Sequence, residues 1–147
     1  MSAPFYRAVL PADVSIVVCQ APGNLGITLG TKVAQLLNVA FDMCAWEIFS
    51  CILNGGSLYL RGPRRPDWIK VMKTVDVLIC TPSILQPHDP EEYTNVKVVA
   101  TAGEPCPKVL LERWGHRAQF FNCCGPTEVS LILHLPRSSE IHYSDCH

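Results

Sequence analysis

Net charge is almost absent from this 147-residue chain: 12 Lys and Arg stand against 13 Asp and Glu, a formal charge of -1. Without a one-signed field there is nothing to draw in nucleic acid or an anionic membrane surface, so neither is expected as a partner. Charge of either sign is also scarce, at 17% of residues against 48% hydrophobic, where an average domain carries roughly 25% charged residues. That balance excludes disorder as the dominant state. No apolar run reaches the roughly 18 residues a membrane span requires. The opening MSAPFYRAVLPADVS has neither a basic leader nor a continuous apolar stretch, so a secretory signal is unsupported and the expected compartment is the cytoplasm. No internal repeat is present. A chain of this length supports one core and buries about 68–70% of its unfolded surface, so it forms one domain or one piece of a larger domain.

Cysteine, by contrast, is plentiful, with eight at positions 19, 44, 51, 80, 106, 123, 124 and 146. None forms a Cys-x-x-Cys pair, and most sit in apolar runs such as VSIVVC, VDVLIC and FFNCC, the setting of buried thiols and not of a disulfide framework. Cys106, His116, Cys123 and Cys124 offer donors of the right type for zinc, but adjacent cysteines splay apart on a strand and knuckle spacing is missing.

Short apolar runs alternate with amphipathic stretches. Strands are expected over 14–19, 33–37, 57–60, 75–80, 96–101 and 119–122, several apolar on both faces as in a buried parallel sheet. Helices are expected over 43–53, 68–73 and 107–114. The first would place Trp46, Ile48, Phe49, Ile52 and Leu53 on one side and stop at Asn54-Gly55-Gly56, and the last is opened by a proline. Strand and helix in repeated alternation define an α/β fold, a mostly parallel sheet with flanking helices.

Ligands of such sheets bind beyond the carboxyl ends of the strands. Four loops there carry polar residues after an apolar run: NVAFDMCAW, CTPSIL, TAGEPCP and NCCGPTE. In the last, Gly125-Pro126 turns the chain, and Thr127 and Glu128 supply a hydroxyl for phosphate and a carboxylate for a hard divalent cation.

FDMCAWEIF at 41–49, AGEPCP at 102–107 and NCCGPTE at 122–128 together resemble the adenylation domains of nonribosomal peptide synthetases, fungal in type, within the acyl-adenylate-forming superfamily. The resemblance covers 22–134 as a partial adenylation (AMP-binding) domain, part of the large N-terminal subdomain, and leaves 1–21 and 135–147 unmatched. It implies AMP-forming ligase chemistry for secondary metabolism: an amino acid carboxylate attacks the α-phosphorus of ATP, giving aminoacyl-AMP and pyrophosphate, and the acyl group passes to the phosphopantetheine thiol of a carrier protein. It also implies roles for individual residues. Asp42 matches the partner of the substrate α-amino group, with Met43, Trp46, Ser83, Ala100, Ala102, Cys123, Leu131 and Ile132 as the side-chain pocket. Asn122 matches the residue that bonds the adenine amino group. Gly103 and Glu104 flank the nucleotide, Cys124 and Gly125 lie against it, Thr127 contacts phosphate and Glu128 holds Mg2+. The pocket residues imply a largely apolar side chain without naming the amino acid.

Each role has a plainer rival. Asp42 before an amphipathic segment reads equally as a helix N-cap, Trp46 as core, and Glu128 as a first-turn carboxylate favoured by the helix dipole. Departures from the family pattern count too. The family usually has an aromatic residue, stacked on adenine, where Cys124 stands. Its phosphate loop ending in Pro-Lys-Gly does not occur before Pro22, and GNLGITLG does not fit G-x-G-x-x-G and reads as a surface turn. The Thr-Gly-Asp motif with its ribose-binding aspartate and the C-terminal catalytic lysine do not follow His134. The chain is therefore expected to be inactive by itself, and two other readings stand beside it: a non-catalytic amino acid or nucleotide-binding module, and a degenerate gene product. Arg61, Arg64, Arg65, Lys70 and Lys73 cluster beside Tyr59 and Trp68, but two prolines and no base-stacking pattern make this a solvated connection.

Overall fold

A computed structural model describes residues 18–123 and 132–134. Its centre is a six-stranded sheet built from β1 (Lys32–Gln35), β2 (Ser57–Leu60), β3 (Val77–Cys80), β4 (Val98–Thr101), β5 (Gln119–Cys123) and β6 (Ile132–His134). The order is β2-β1-β3-β4-β5-β6. The first five run parallel and β6 pairs antiparallel to β5, with Cys123 opposite Ile132. The α/β class and mostly parallel sheet read from the sequence are the observed architecture.

Among the described residues, four helices lie whole between the strands: α1 (Asp42–Leu53), α2 (Arg65–Met72), α3 (Pro82–Leu85) and α4 (Lys108–Gly115). Met72 of α2, Leu85 of α3, and Leu110 and Trp114 of α4 share one apolar cluster with Leu78 and Val99. On the other face, Met43, Trp46 and Cys51 of α1 pack with Val33, Ile79, Ala100 and Phe121. The chain thus leaves β1 toward β2 on one side and, after β2, returns to build β3 to β5 on the other. The carboxyl ends of β1 and β3 therefore flank the point where the winding reverses, the place where open α/β sheets bind ligands.

Local chemistry explains the boundaries. α2 begins with a reciprocal cap in which the Asp67 carboxylate accepts from the Arg64 backbone N–H at 3.3 Å and from its guanidinium at 3.2 Å, and Pro66 sits in the first turn where no N–H is needed. α1 stops at Asn54, whose side chain donates to the carbonyls of Ser50 and Val18 at 2.8 and 2.7 Å, and Gly55 takes the positive φ of 78° that ends the helix. β1 ends at Gln35, short of the expected 37, because the next two backbone N–H groups are taken by a side chain, Glu47.

Two expectations need correction. The strand expected over 14–19 is contradicted where it is described: residues 18 and 19 are helical, with Val18 buried. Short apolar runs do not separate buried strand from buried helix. On α1, the side turned inward carries Cys44, Glu47, Ser50 and Cys51, whereas Phe49, Ile52 and Leu53 are exposed. Of the five apolar residues, Trp46 packs against the sheet cluster while Phe49, Ile52 and Leu53 do not; the inward stripe is filled by two cysteines, a serine and Glu47. Three of the five basic residues are engaged locally: the Arg61 guanidinium lies 4.2 Å over the Trp68 ring, Arg64 pairs with Asp67 and Lys73 with Glu92. The glycine-spaced 23–30 stretch is a run of turns with no helix beginning in it.

Candidate active site

Parallel winding brings the carboxyl ends of β1, β3, β4 and β5 to one edge. The β1 exit, 36–41, leads into α1. Phe41, in extended conformation, is the N-cap and offers no side-chain bond; Asp42 is the first helical residue, not the cap. Its Oδ1 accepts the Met43 N–H at 2.7 Å, a carboxylate favoured at the positive end of a helix. The Asp42 side chain is exposed at this edge.

Met43 reaches across to the β4 exit, where a Cβ on Gly103 would stand 3.4 Å from its Sδ. Gly103 has φ +80°, a left-handed conformation open to glycine. One turn along α1, Trp46 is half-buried, its indole N–H donating to the Gly23 carbonyl at 2.8 Å. Met43, Trp46 and Ala102 pack against the cluster that contains Ala100 and Cys123. Most of the expected side-chain pocket is therefore in one apolar assembly beside Asp42.

Ser83 stands apart, in α3 after β3. Its backbone N–H donates to the Glu104 carboxylate at 3.1 Å and its hydroxyl donates to the same oxygen. The Ser83 hydroxyl is the main reason the Glu104 carboxyl is held below the usual range. At the end of β5, Asn122 is half-buried and its Oδ1 receives the Thr101 hydroxyl at 3.4 Å; Asn122 and Thr101 are register partners on neighbouring strands. Ile132 is placed by its strand pairing alone. Leu131, Cys124, Gly125, Thr127 and Glu128 lie outside the described residues, and so does the Mg2+ site expected at Glu128. Among the described residues, no group of three His, Cys, Asp or Glu could hold a metal ion.

Sequence reasoning passed over Glu47. It is completely buried, its Oε1 accepts the Leu36 N–H at 2.8 Å, and both oxygens share the Leu37 N–H at 3.3 and 3.2 Å. Burial pushes its carboxyl up to about 7, against the pull of the two backbone N–H donors. The signal was the Cys44, Glu47, Cys51 spacing, which puts an acid on the inward stripe of α1.

A hollow of about 410 Å³ lies at the opposite end of the sheet, between Leu25, Leu29, Asp76 and Lys97. It is remote from the loops that carry Asp42 and Gly103, and its charged rim is already an ion pair, Lys97 to Asp76 at 2.8 Å.

A parallel sheet with this winding reversal and a polar, glycine-bearing rim at its carboxyl ends has the layout of a ligand-binding α/β domain. The AMP-binding enzyme family matches residues 12–145, and the chain belongs to that family. Adenylate-forming reductase 03009 of Coprinopsis cinerea is 48% identical over 132 residues, 87% of this chain and 13% of that protein. Nonribosomal peptide synthetase gliP of Aspergillus fumigatus is 43% identical over 108 residues, 74% of this chain and 5% of that protein. The chain thus spans a small part of the length of the curated relatives it matches. Among solved structures, the N-terminal subdomain of NpsA from Klebsiella oxytoca superposes with a TM-score of 0.71 at 19% identity, over 86% of this chain and 36% of that one. The nonribosomal peptide synthetase FmoA3 gives 0.70 at 18%, over 88% and 16%. The fold is that of part of an adenylation domain. No helix among the described residues is long and apolar enough to cross a membrane.

Proposed function

We propose that this chain supplies the acid pocket and part of the adenine site of an adenylation domain that joins an amino acid to AMP. The observation that supports it best is the position of Asp42: an exposed carboxylate at the winding reversal, with one oxygen fixed by Met43 and Met43, Trp46 and Ala102 beside it over Ala100 and Cys123. A carboxylate held next to an apolar cluster suits a zwitterion with an apolar side chain: the ammonium would meet Asp42 and the side chain methionine, indole and alanine. Ser83, Cys123, Leu131 and Ile132 complete the proposed pocket.

For the nucleotide, Asn122 would accept from the adenine amino group, Gly103 and Glu104 would flank the purine, and Cys124, Gly125 and Thr127 would follow along the ribose and phosphates. Glu128 would take Mg2+, a cation content with one carboxylate and several waters. ATP is the proposed donor and AMP the group retained. The domain proper is proposed to run over 22–134, and the reaction to take place in the cytoplasm.

The step after adenylation has two readings. The structure of PA1221 contains an adenylation domain with a PCP domain, which supports transfer to a carrier-protein thiol. The match to an adenylate-forming reductase at 48% identity favours a protein in which a reductive step comes next instead. Both require the same acid pocket.

The test is a chimera: the 132 matched residues of adenylate-forming reductase 03009 replaced by those of this chain, assayed for amino-acid-dependent ATP–pyrophosphate exchange. Exchange that depends on an α-amino acid supports the reading, and exchange only with acids lacking the amino group overturns the role of Asp42. The 147-residue chain by itself should give no detectable exchange. Its sequence contains no Pro-Lys-Gly phosphate loop, and single preorganised donors of this kind are each worth about 10²–10³ in rate.

A further inference from the structure

We propose that Glu47 is a positioning residue for the acid pocket: its buried carboxylate ties the exit of β1 to the middle of α1 and so sets where Asp42, Met43 and Trp46 stand. This rests on the pocket assignment under Proposed function. The geometry is specific. Where β1 would continue pairing, the Leu36 and Leu37 N–H groups turn to Glu47, at 2.8 Å for Leu36 and 3.2 Å for the nearer Leu37 contact. Those two residues begin the six-residue segment that delivers Asp42, and Glu47 directly follows Trp46. One carboxylate thus fixes both ends of the pocket-forming segment: the backbone that leads into Asp42 and the helical turn that carries Trp46.

The groups that face Glu47 come from three elements. Gln35 of β1 donates to Cys44 Sγ at 3.4 Å, Cys44 lies one turn back on α1, and Cys80 of β3 lies within electrostatic reach. Burial raises both thiols, so they stay neutral near pH 7. Among the described residues no ion pair joins Glu47. Its charge is held chiefly by the Leu36 and Leu37 N–H groups, with smaller help from the Cys44 and Gln35 side chains. Protonation relieves the cost of burying that charge, but it weakens the carboxyl as an acceptor for two buried amides, and a poorly satisfied buried donor is costly. Protonating Glu47 therefore loosens the β1 exit locally, and the pocket helix moves with it.

Amide spectra of the full 147-residue chain, recorded from pH 5 to 9, test this without substrate, so the outcome is independent of whether the chain adenylates anything. The expected result is that Leu36 and Leu37 titrate with a midpoint near 7, and that the Asp42 and Met43 amides and the Trp46 indole N–H share the same midpoint. In Glu47→Gln that shared titration vanishes. If Leu36 and Leu37 titrate and Asp42, Met43 and Trp46 do not, Glu47 only fills the core and the proposal is overturned. If Glu47→Gln fails to fold, the wild-type titration alone decides. Failure of pyrophosphate exchange in the chimera would sink the functional reading and leave this measurement standing.

Discussion

Ser83 and Glu104 are joined across two loops: the backbone N–H of Ser83, at the start of the segment after β3, donates at 3.1 Å to the carboxylate of Glu104, in the loop after β4, and the Ser83 hydroxyl donates to the same oxygen. Neighbouring parallel strands thus have their exit loops pinned to one another by a single carboxylate. Because Glu104 carries the flank proposed for the nucleotide, the pin sets the rim of that site.

Ser83→Ala removes the largest influence holding the Glu104 carboxyl low. A depressed carboxyl contributes stability above its unfolded value that is lost as pH falls through its folded value. The variant should therefore show Glu104 titrating closer to 4.5, with little change in unfolding free energy at neutral pH, because the group is exposed and screened. Carbon-detected titration of the Glu104 carboxyl checks this. An unmoved midpoint contradicts it.

Glu47 has the opposite sign. Its folded value of about 7 lies above the ordinary 4.5, so the folded state holds the extra proton across that window. The stability contribution is full below about 4.5 and is lost as pH rises through about 7, by roughly 3 kcal/mol at most. Urea unfolding of the wild type and Glu47→Gln at pH 5 and pH 8 should show the variant gaining on the wild type by that order. A difference independent of pH contradicts the assignment.

Gly103→Ala forces a Cβ into a φ of +80° with Met43 Sδ 3.4 Å away. Left-handed backbone costs a non-glycine residue roughly 1–2 kcal/mol, and Gly103→Asn, whose short side chain tolerates that region, should lose less. Urea midpoints rank the three proteins. Equal midpoints would mean that the turn relaxes freely.

How far the sequence disclosed all this depends on which physical signal each residue sends. Val77–Cys80 and Val98–Thr101 are short, apolar on both faces and flanked by polar turns, so the central parallel strands were legible. Amphipathic spacing over 43–53 and the stop at Asn54-Gly55-Gly56 located α1. The orientation of α1 was not legible from apolar count: Cys44, Ser50 and Cys51 are small enough to lie flat on the sheet, and Phe49, Ile52 and Leu53 are not. Nor was the end of β1, which is set by Glu47, a residue 11 positions from Leu36; only the folded chain brings them together. The Ser83–Glu104 bond spans 21 positions and is invisible for the same reason.

The most direct test of the acid pocket is Asp42→Ala in the chimera, read as pyrophosphate exchange with its best amino acid. A hydrogen bond between charged groups is worth about 1.5–3 kcal/mol, so exchange should fall by about one to two orders of magnitude, while the variant keeps its fold by circular dichroism. Near-normal exchange would reduce Asp42 to a first-turn carboxylate of α1 and contradict the account.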